Sequence, residues 1–150
     1  MSAGYVTCRL AQHAFAFSLE HVREIVRMDR IEPLPGMPKP MAGVLMLRGV
    51  PLPVFDLRES ETPAGQGDVL VFDVDDDPVG VAVEEVTAVL SAAETTVSDA
   101  PMSTALPTYV VAVRETSSGP VFEVDLPRLL DASADGWVDG LAGLPTPAQT

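Results

Sequence analysis

Apolar positions in this chain come in short runs that alternate or cluster, then stop at a glycine, a proline or a charge. That period belongs to strands rather than helices. Residues 5–10 (YVTCRL) and 14–17 (AFAF) predict a hairpin turning at Gln12–His13. From Ser18 the pattern is ambiguous. Leu19, Val22 and Val26 fit a helix, while Val22, Glu24 and Val26 also alternate as a strand does. Residues 31–40 (IEPLPGMPKP) hold four prolines and predict an extended loop.

The stretch GVLMLRGVPLPVFDLR, residues 43–58, organises the middle of the chain. Two apolar runs, Val44–Leu47 and Val50–Phe55, flank Arg48 and Gly49 and predict two strands. Pro51 and Pro53 exclude a helix interior. Two residues apart on an extended chain, they leave one side of the strand short of N–H donors, which predicts an edge strand or a bulged one. Arg48 between apolar strands must reach water or a carboxylate. Asp56 is its most economical candidate partner.

Farther on, Val69–Phe72 and the alternating Val79, Val81 and Val83 predict a hairpin around Asp73–Asp77. Val86, Val89 and Leu90 continue as a strand. Residues 91–108 predict a long loop with one helical turn. Tyr109–Val113 and Pro120–Val124 predict another hairpin. Asp125 caps a short helix with Pro127 in its first turn and Leu126, Leu129 and Leu130 facing inward. The sum is roughly nine short strands and almost no helix, an all-β chain. Residues 1–132 form the folded unit; the glycine- and proline-rich stretch 133–150 reads as a loosely ordered tail that Trp137 and Leu141 could dock.

Composition narrows the classes. A length of 150 residues with 47% hydrophobic content suits one domain with a real core. No apolar run approaches the roughly 18–20 residues of a membrane helix, and MSAGYVTCRL has no secretory pattern, so a cytoplasmic protein is expected. A net charge of −13 argues against nucleic acid and anionic lipid as partners. The single cysteine, Cys8, reads as a small core residue.

Candidate chemistry is sparse. His13 and His21 have no ligand or nucleophile at useful spacing, and no phosphate loop, dinucleotide fingerprint or nucleophile elbow is visible. Asp73, Asp75, Asp77 and Glu84 imitate a calcium loop, but Pro78 stands where such a loop needs glycine. The reading is therefore no enzyme, no catalytic residue, no metal and no cofactor. What remains is an interaction module or, as the alternative, a small ligand- or peptide-binding β-barrel.

Gly43-Val44-Leu45-Met46-Leu47-Arg48-Gly49, followed by Pro53 and Asp56-Leu57-Arg58, resembles the signature of the CheW-like domain, a chemosensory adaptor family. Met46 replaces an asparagine of the family pattern. Val22-Arg23-Glu24-Ile25 resembles its Val-x-Glu-Ile stretch, and the likeness runs from about Tyr5 to Leu130. The resemblance implies a helical turn near 18–22, then a strand to about Met28. It implies two linked SH3-like β-barrels of about five strands each, with a few short helical turns and a groove between them. It implies an adaptor joining the cytoplasmic tip of a chemoreceptor to the regulatory domain of a CheA-type histidine kinase. Val22, Glu24, Gly43, Val44, Arg48, Gly49 and Val50 are the implied protein-binding residues. The segment ESETPAGQGD, 59–68, is shorter and more polar than its counterpart in relatives, which implies weakened kinase contact.

Overall fold

The computed structural model describes residues 4–10, 12–27, 31–32, 41–58, 67–74, 76–98 and 106–133. β1 (Gly4–Leu10) and β2 (His13–Ser18) form the expected hairpin, in register from Tyr5↔Ser18 to Leu10↔His13. The chain then leaves this sheet and builds a second one. Its strands are β3 (Val22–Arg27), β4 (Ile31–Glu32), β5 (Met41–Leu47), β6 (Val50–Asp56), β7 (Asp68–Val74) and β8 (Asp77–Val83). They lie in the order β3-β7-β8-β6-β5-β4. The chain returns with β9 (Glu85–Ser91), β10 (Thr96–Val97), β11 (Val110–Thr116) and β12 (Gly119–Val124), giving β10-β11-β12-β2-β1-β9. The second sheet is thus one unbroken stretch set between β2 and β9 of the first.

In each sheet the two outermost strands are successive in the chain: β3 and β4 in one, β9 and β10 in the other. The polypeptide itself therefore crosses the open seam of each sheet, which is how a short sheet curls into a small barrel. Side chains reinforce the seam of the first barrel. Arg114 on β11 donates to Thr95, in the β9–β10 connection, at 2.9 Å and to Glu123 at 2.6 Å. Its guanidinium lies 4.2 Å from the centroid of the Tyr5 ring on β1.

Three apolar clusters follow from strand alternation. Val6, Cys8, Leu10, Phe15 and Phe17 of the first sheet pack on Leu70, Phe72, Val81 and Val83 of the second. This is the core between the barrels; Phe17 and Phe72 are tilted rings 5.4 Å apart. Leu45, Leu52, Val54, Val69, Val71 and Ala82 fill the second barrel. Tyr5, Ala16 and Val121 lie on the other face of the first sheet. β7 and β8 are therefore buried on both faces, which is why residues 69–72 and 81–83 read as continuous apolar runs.

Several expectations need correction. Leu19 and Glu20 form a turn, held by the Glu20 N–H donating to Ser18 Oγ at 3.2 Å, and not a helical turn through Val22. Ile31–Glu32 is not loop: it pairs with Leu45 and Val44 as β4. β10 is a second two-residue strand inside the expected long loop. Each sheet therefore has six strands, two of them too short to show a period. β6 is not an edge strand. It meets β5 along its length and β8 from Val54 to Asp56, so the half carrying Pro51 and Pro53 has its neighbour on one side only. Helix α1 (Leu126–Ser133) is as expected: Asp125 Oδ2 accepts the Arg128 N–H at 3.2 Å, and Leu126 and Leu129 are buried. The expected tail, from 134 on, lies outside the described residues.

Candidate functional site

The turn between β5 and β6 has only two residues, closed by the Leu47↔Val50 pair. Arg48 has φ +49° and Gly49 φ +81°. Positive φ at both central positions is the type I′ pattern, whose twist matches that of the flanking strands. Gly49 is there for conformation, since a Cβ would meet nothing within 4 Å. Arginine at the first position costs roughly 1 kcal/mol of backbone strain that glycine or asparagine would avoid.

That strain is offset by a contact. Arg48 Nη1 and Nη2 donate to the two carboxylate oxygens of Glu24 at 3.0 and 2.5 Å, a bidentate pair. The bond holds the Glu24 carboxyl below its ordinary range and the Arg48 guanidinium above its own. Glu24 lies on β3 and Arg48 beside β5, near opposite ends of the sheet, so the pair spans the seam of the second barrel. The Arg48 side chain is still 69% exposed and Glu24 26%.

Glu24 is aimed there by a β-bulge. The register with β7 runs Ile25↔Leu70 and Glu24↔Val71, then shifts so that Val22 faces Phe72. Cross-strand partners share a face. Val22 therefore points with Phe72 into the core between the barrels, while Glu24 points with Val71 toward the second barrel. Simple alternation had put both on one face; the extra residue, Arg23, separates them.

Asp56 is not the partner of Arg48. It takes three bonds from Arg58: N–H at 3.1 Å, Nε at 2.9 Å and Nη2 at 2.8 Å. The Arg58 side chain is only 9% exposed, so Asp56-Leu57-Arg58 is a local structural clamp with Leu57 in the core. Arg58 lies just past the end of β6, two residues from Asp56, and that proximity in the chain outcompetes Arg48.

Of the other nominated residues, Gly43 is buried at a bulge in β5 with φ +149°, and Val44 is half-buried opposite Pro53. Val50 is 56% exposed. Met46, opposite Pro51, is 54% exposed, and Ile25 on β3 is 37% exposed. Glu24, Arg48, Gly49 and Val50 thus meet at one end of the second barrel; Val22 lies apart. Beside Val50, two further accessible apolar residues, Met46 and Ile25, are not among the expected binding residues. Met46 follows from the strand alternation along β5, whereas Ile25 is turned outward by the β3 bulge, for which the sequence carries no signal.

Cys8 is fully buried and desolvation pushes its thiol up, away from reactivity. His13, expected in the turn, is buried as the first residue of β2, against Phe15. No three His, Cys, Asp or Glu side chains among the described residues gather as metal ligands. A cavity of about 240 Å³ opens where the barrels and α1 meet, lined by Tyr5, Phe17, His21, Phe72, Glu123 and Asp125 among others. This cavity is smaller than the roughly 300–1,000 Å³ of typical small-molecule sites. No helix among the described residues is long and apolar enough to cross a membrane.

Comparison with known proteins agrees with this architecture. The chemotaxis protein CheW of Treponema pallidum (strain Nichols) is 25% identical over 105 residues. That match covers 64% of this chain and spans 62% of the relative's length. The crystal structure of the scaffolding protein TtCheW from Thermoanaerobacter tengcongensis superposes with a TM-score of 0.68 at 21% identity, over 84% of this chain and 86% of that one. At that identity the likeness concerns the fold, two SH3-like barrels. The sequence profile of the CheW-like domain matches residues 4–134. The chain therefore belongs to the CheW-like domain family.

Proposed function

We propose that this protein couples the cytoplasmic tip of a chemoreceptor to the regulatory domain of a CheA-type histidine kinase. Glu24, Arg48, Gly49 and Val50 mark the exposed centre of its binding region, Gly43 and Val44 support it on β5, and Val22 borders it from the far side of the β3 bulge. The observation that carries this reading is Arg48. Its guanidinium is fixed by Glu24 yet two-thirds exposed, beside Val50 and Met46, each more than half exposed. A cation held in one orientation next to exposed apolar side chains loses little entropy when a partner docks.

The test is a pull-down with the cognate receptor fragment and kinase. Arg48→Glu is expected to weaken binding with an unchanged far-ultraviolet spectrum. The double exchange Glu24→Arg, Arg48→Glu keeps an ion pair across the seam. If the pair serves structure alone, the exchange restores binding; if Arg48 meets the partner, binding stays weak.

The kinase arm is the weaker one in this proposal. The segment ESETPAGQGD offers little apolar area, at roughly 25 cal/mol per Å² buried, and its acids repel an acidic partner. Such a protein limits arrays rather than extending them. Kinase capture by the unmodified protein as strong as receptor capture would remove this part and leave the ordinary adaptor.

A further inference from the structure

Cys8 and Met46 are two sulfur sites of opposite accessibility. Cys8 is fully buried with its thiol pushed up by desolvation, so the group that oxidants ordinarily attack first is closed to them. Met46 is 54% exposed. It lies on β5 itself, one residue before the pair that closes the Arg48–Gly49 turn. In a two-residue hairpin that closing pair, Leu47↔Val50, is the hydrogen-bonded one. Met46↔Pro51 is then a non-hydrogen-bonded pair, the kind that brings side chains closer together. Alternation sends Leu45 into the second barrel and turns Val44 and Met46 outward. Their cross-strand partners Pro53 and Pro51 share that face. Val44, Met46, Pro51 and Pro53 thus make an outer strip without a charged or hydrogen-bonding side chain, and the thioether stands at its accessible end.

We propose that Met46 is an oxidation site, and that its conversion to the sulfoxide turns down docking at this end of the second barrel. The oxidant is a peroxide. A sulfur lone pair attacks one peroxide oxygen, the O–O bond breaks and an S–O bond forms. The departing hydroxide takes a proton and leaves as water. Sulfur loses two electrons and the peroxide gains them. The change is reversible: a thiol-dependent reductase restores the thioether, the oxygen leaving as water while two thiols close to a disulfide. What changes at the surface is polarity. A flexible, polarisable apolar side chain becomes a chiral dipole with a strong acceptor oxygen. A partner that covers the strip must then dehydrate that oxygen, and the side chains of Val44, Pro51 and Pro53 offer it no donor. Arg48, two residues on, is already bidentate to Glu24. The free protein is spared, because Met46 lies outside the packed cluster of Leu45, Leu52 and Val54. The cost of oxidation therefore falls on the complex.

This inference rests on the receptor-coupling reading. The experiment measures binding of the cognate receptor's cytoplasmic fragment to the full chain by calorimetry, before and after graded hydrogen peroxide. Peptide mass spectrometry follows each of the six methionines. Wild-type affinity is expected to fall about tenfold in step with oxidation at Met46, with an unchanged thermal melt. Methionine sulfoxide reductases of both epimer specificities should restore it. Met46→Leu has no thioether, so its affinity after peroxide should equal its own affinity before. Met46→Gln, a permanently polar side chain of similar length, should start about tenfold weaker than wild type. If peroxide weakens Met46→Leu as much as wild type, another methionine is responsible, and the assignment is overturned while receptor coupling stands. Full oxidation of Met46 with binding unchanged or tightened overturns it equally. If untreated wild type does not bind the fragment, receptor coupling falls and takes this inference with it.

Discussion

Tyr109 offers a sharp test of the packing. The residue is 1% exposed and packs in the core between the barrels, yet its hydroxyl has no hydrogen-bond partner among the described residues. A buried, unpaired hydroxyl costs about 1–3 kcal/mol. Tyr109→Phe removes it and keeps the ring, so the variant should gain about 1 kcal/mol, or about 2–4 °C in Tm for a domain of this size. Desolvation also pushes the Tyr109 hydroxyl up to about 12. The folded value lies above the unfolded value near 10, so the unfolded state releases its proton first. Wild type is therefore destabilised as pH rises above 10, by up to about 1 kcal/mol at pH 10.5 from this group. Cys8, also raised by burial, adds its own loss from about pH 8.5 upward. It is common to both proteins and cancels in their difference. Urea unfolding of both at pH 7 and pH 10.5 measures the two terms. A stability loss in Tyr109→Phe at pH 7, or a gap that does not widen at pH 10.5, refutes the reasoning and shows the hydroxyl to be bonded.

Other consequences can be checked more briefly. Arg48→Asn suits the type I′ turn better than arginine, so its Tm should hold or rise while partner capture falls; joint loss of both would make Arg48 purely structural. A Cβ on Gly80 would sit 3.0 Å from Val69 Cγ1 and 3.2 Å from Leu52 Cδ2, so Gly80→Ala should cost about 1–3 kcal/mol in denaturant unfolding. Arg58→Ala strips Asp56 of its clamp; because Asp56 is a quarter exposed, the loss in denaturant unfolding should be about 1–2 kcal/mol, well short of a fully buried pair.

Much of this architecture can be read from residue order. The Val44–Leu47 and Val50–Phe55 runs, the Arg48–Gly49 turn, the Asp125 cap and the burial of Cys8 are local signals, and each appears where expected. What escaped is of another kind. Ile31–Glu32 and Thr96–Val97 are strands because a longer neighbour pairs with them; two residues carry no period. Glu24 meets Arg48 across 24 residues of sequence, whereas Asp56 is nearer in the chain and was the economical choice. The bulge at Arg23 is invisible in an alternation that continues smoothly through Val22, Glu24 and Val26. It decides which side of β3 faces a partner, and so which residues can touch one.

The unbroken run of the second barrel, set inside the first, also imposes an order of assembly. On a ribosome, residues 22–83 emerge as a complete set of six strands while β1 and β2 still lack their later neighbours. β1 lies between β2 and β9 in the finished sheet, so one flank of it stays unpaired until some eighty further residues have been made. During that interval Phe15 and Phe17 have an existing surface to rest on, the Phe72 side of the inner barrel. The inner barrel is thus placed to act as an intramolecular template for the outer one. Damage to the Phe17–Phe72 contact should then show first as aggregation of newly made chains, before it shows as lost stability in the finished protein.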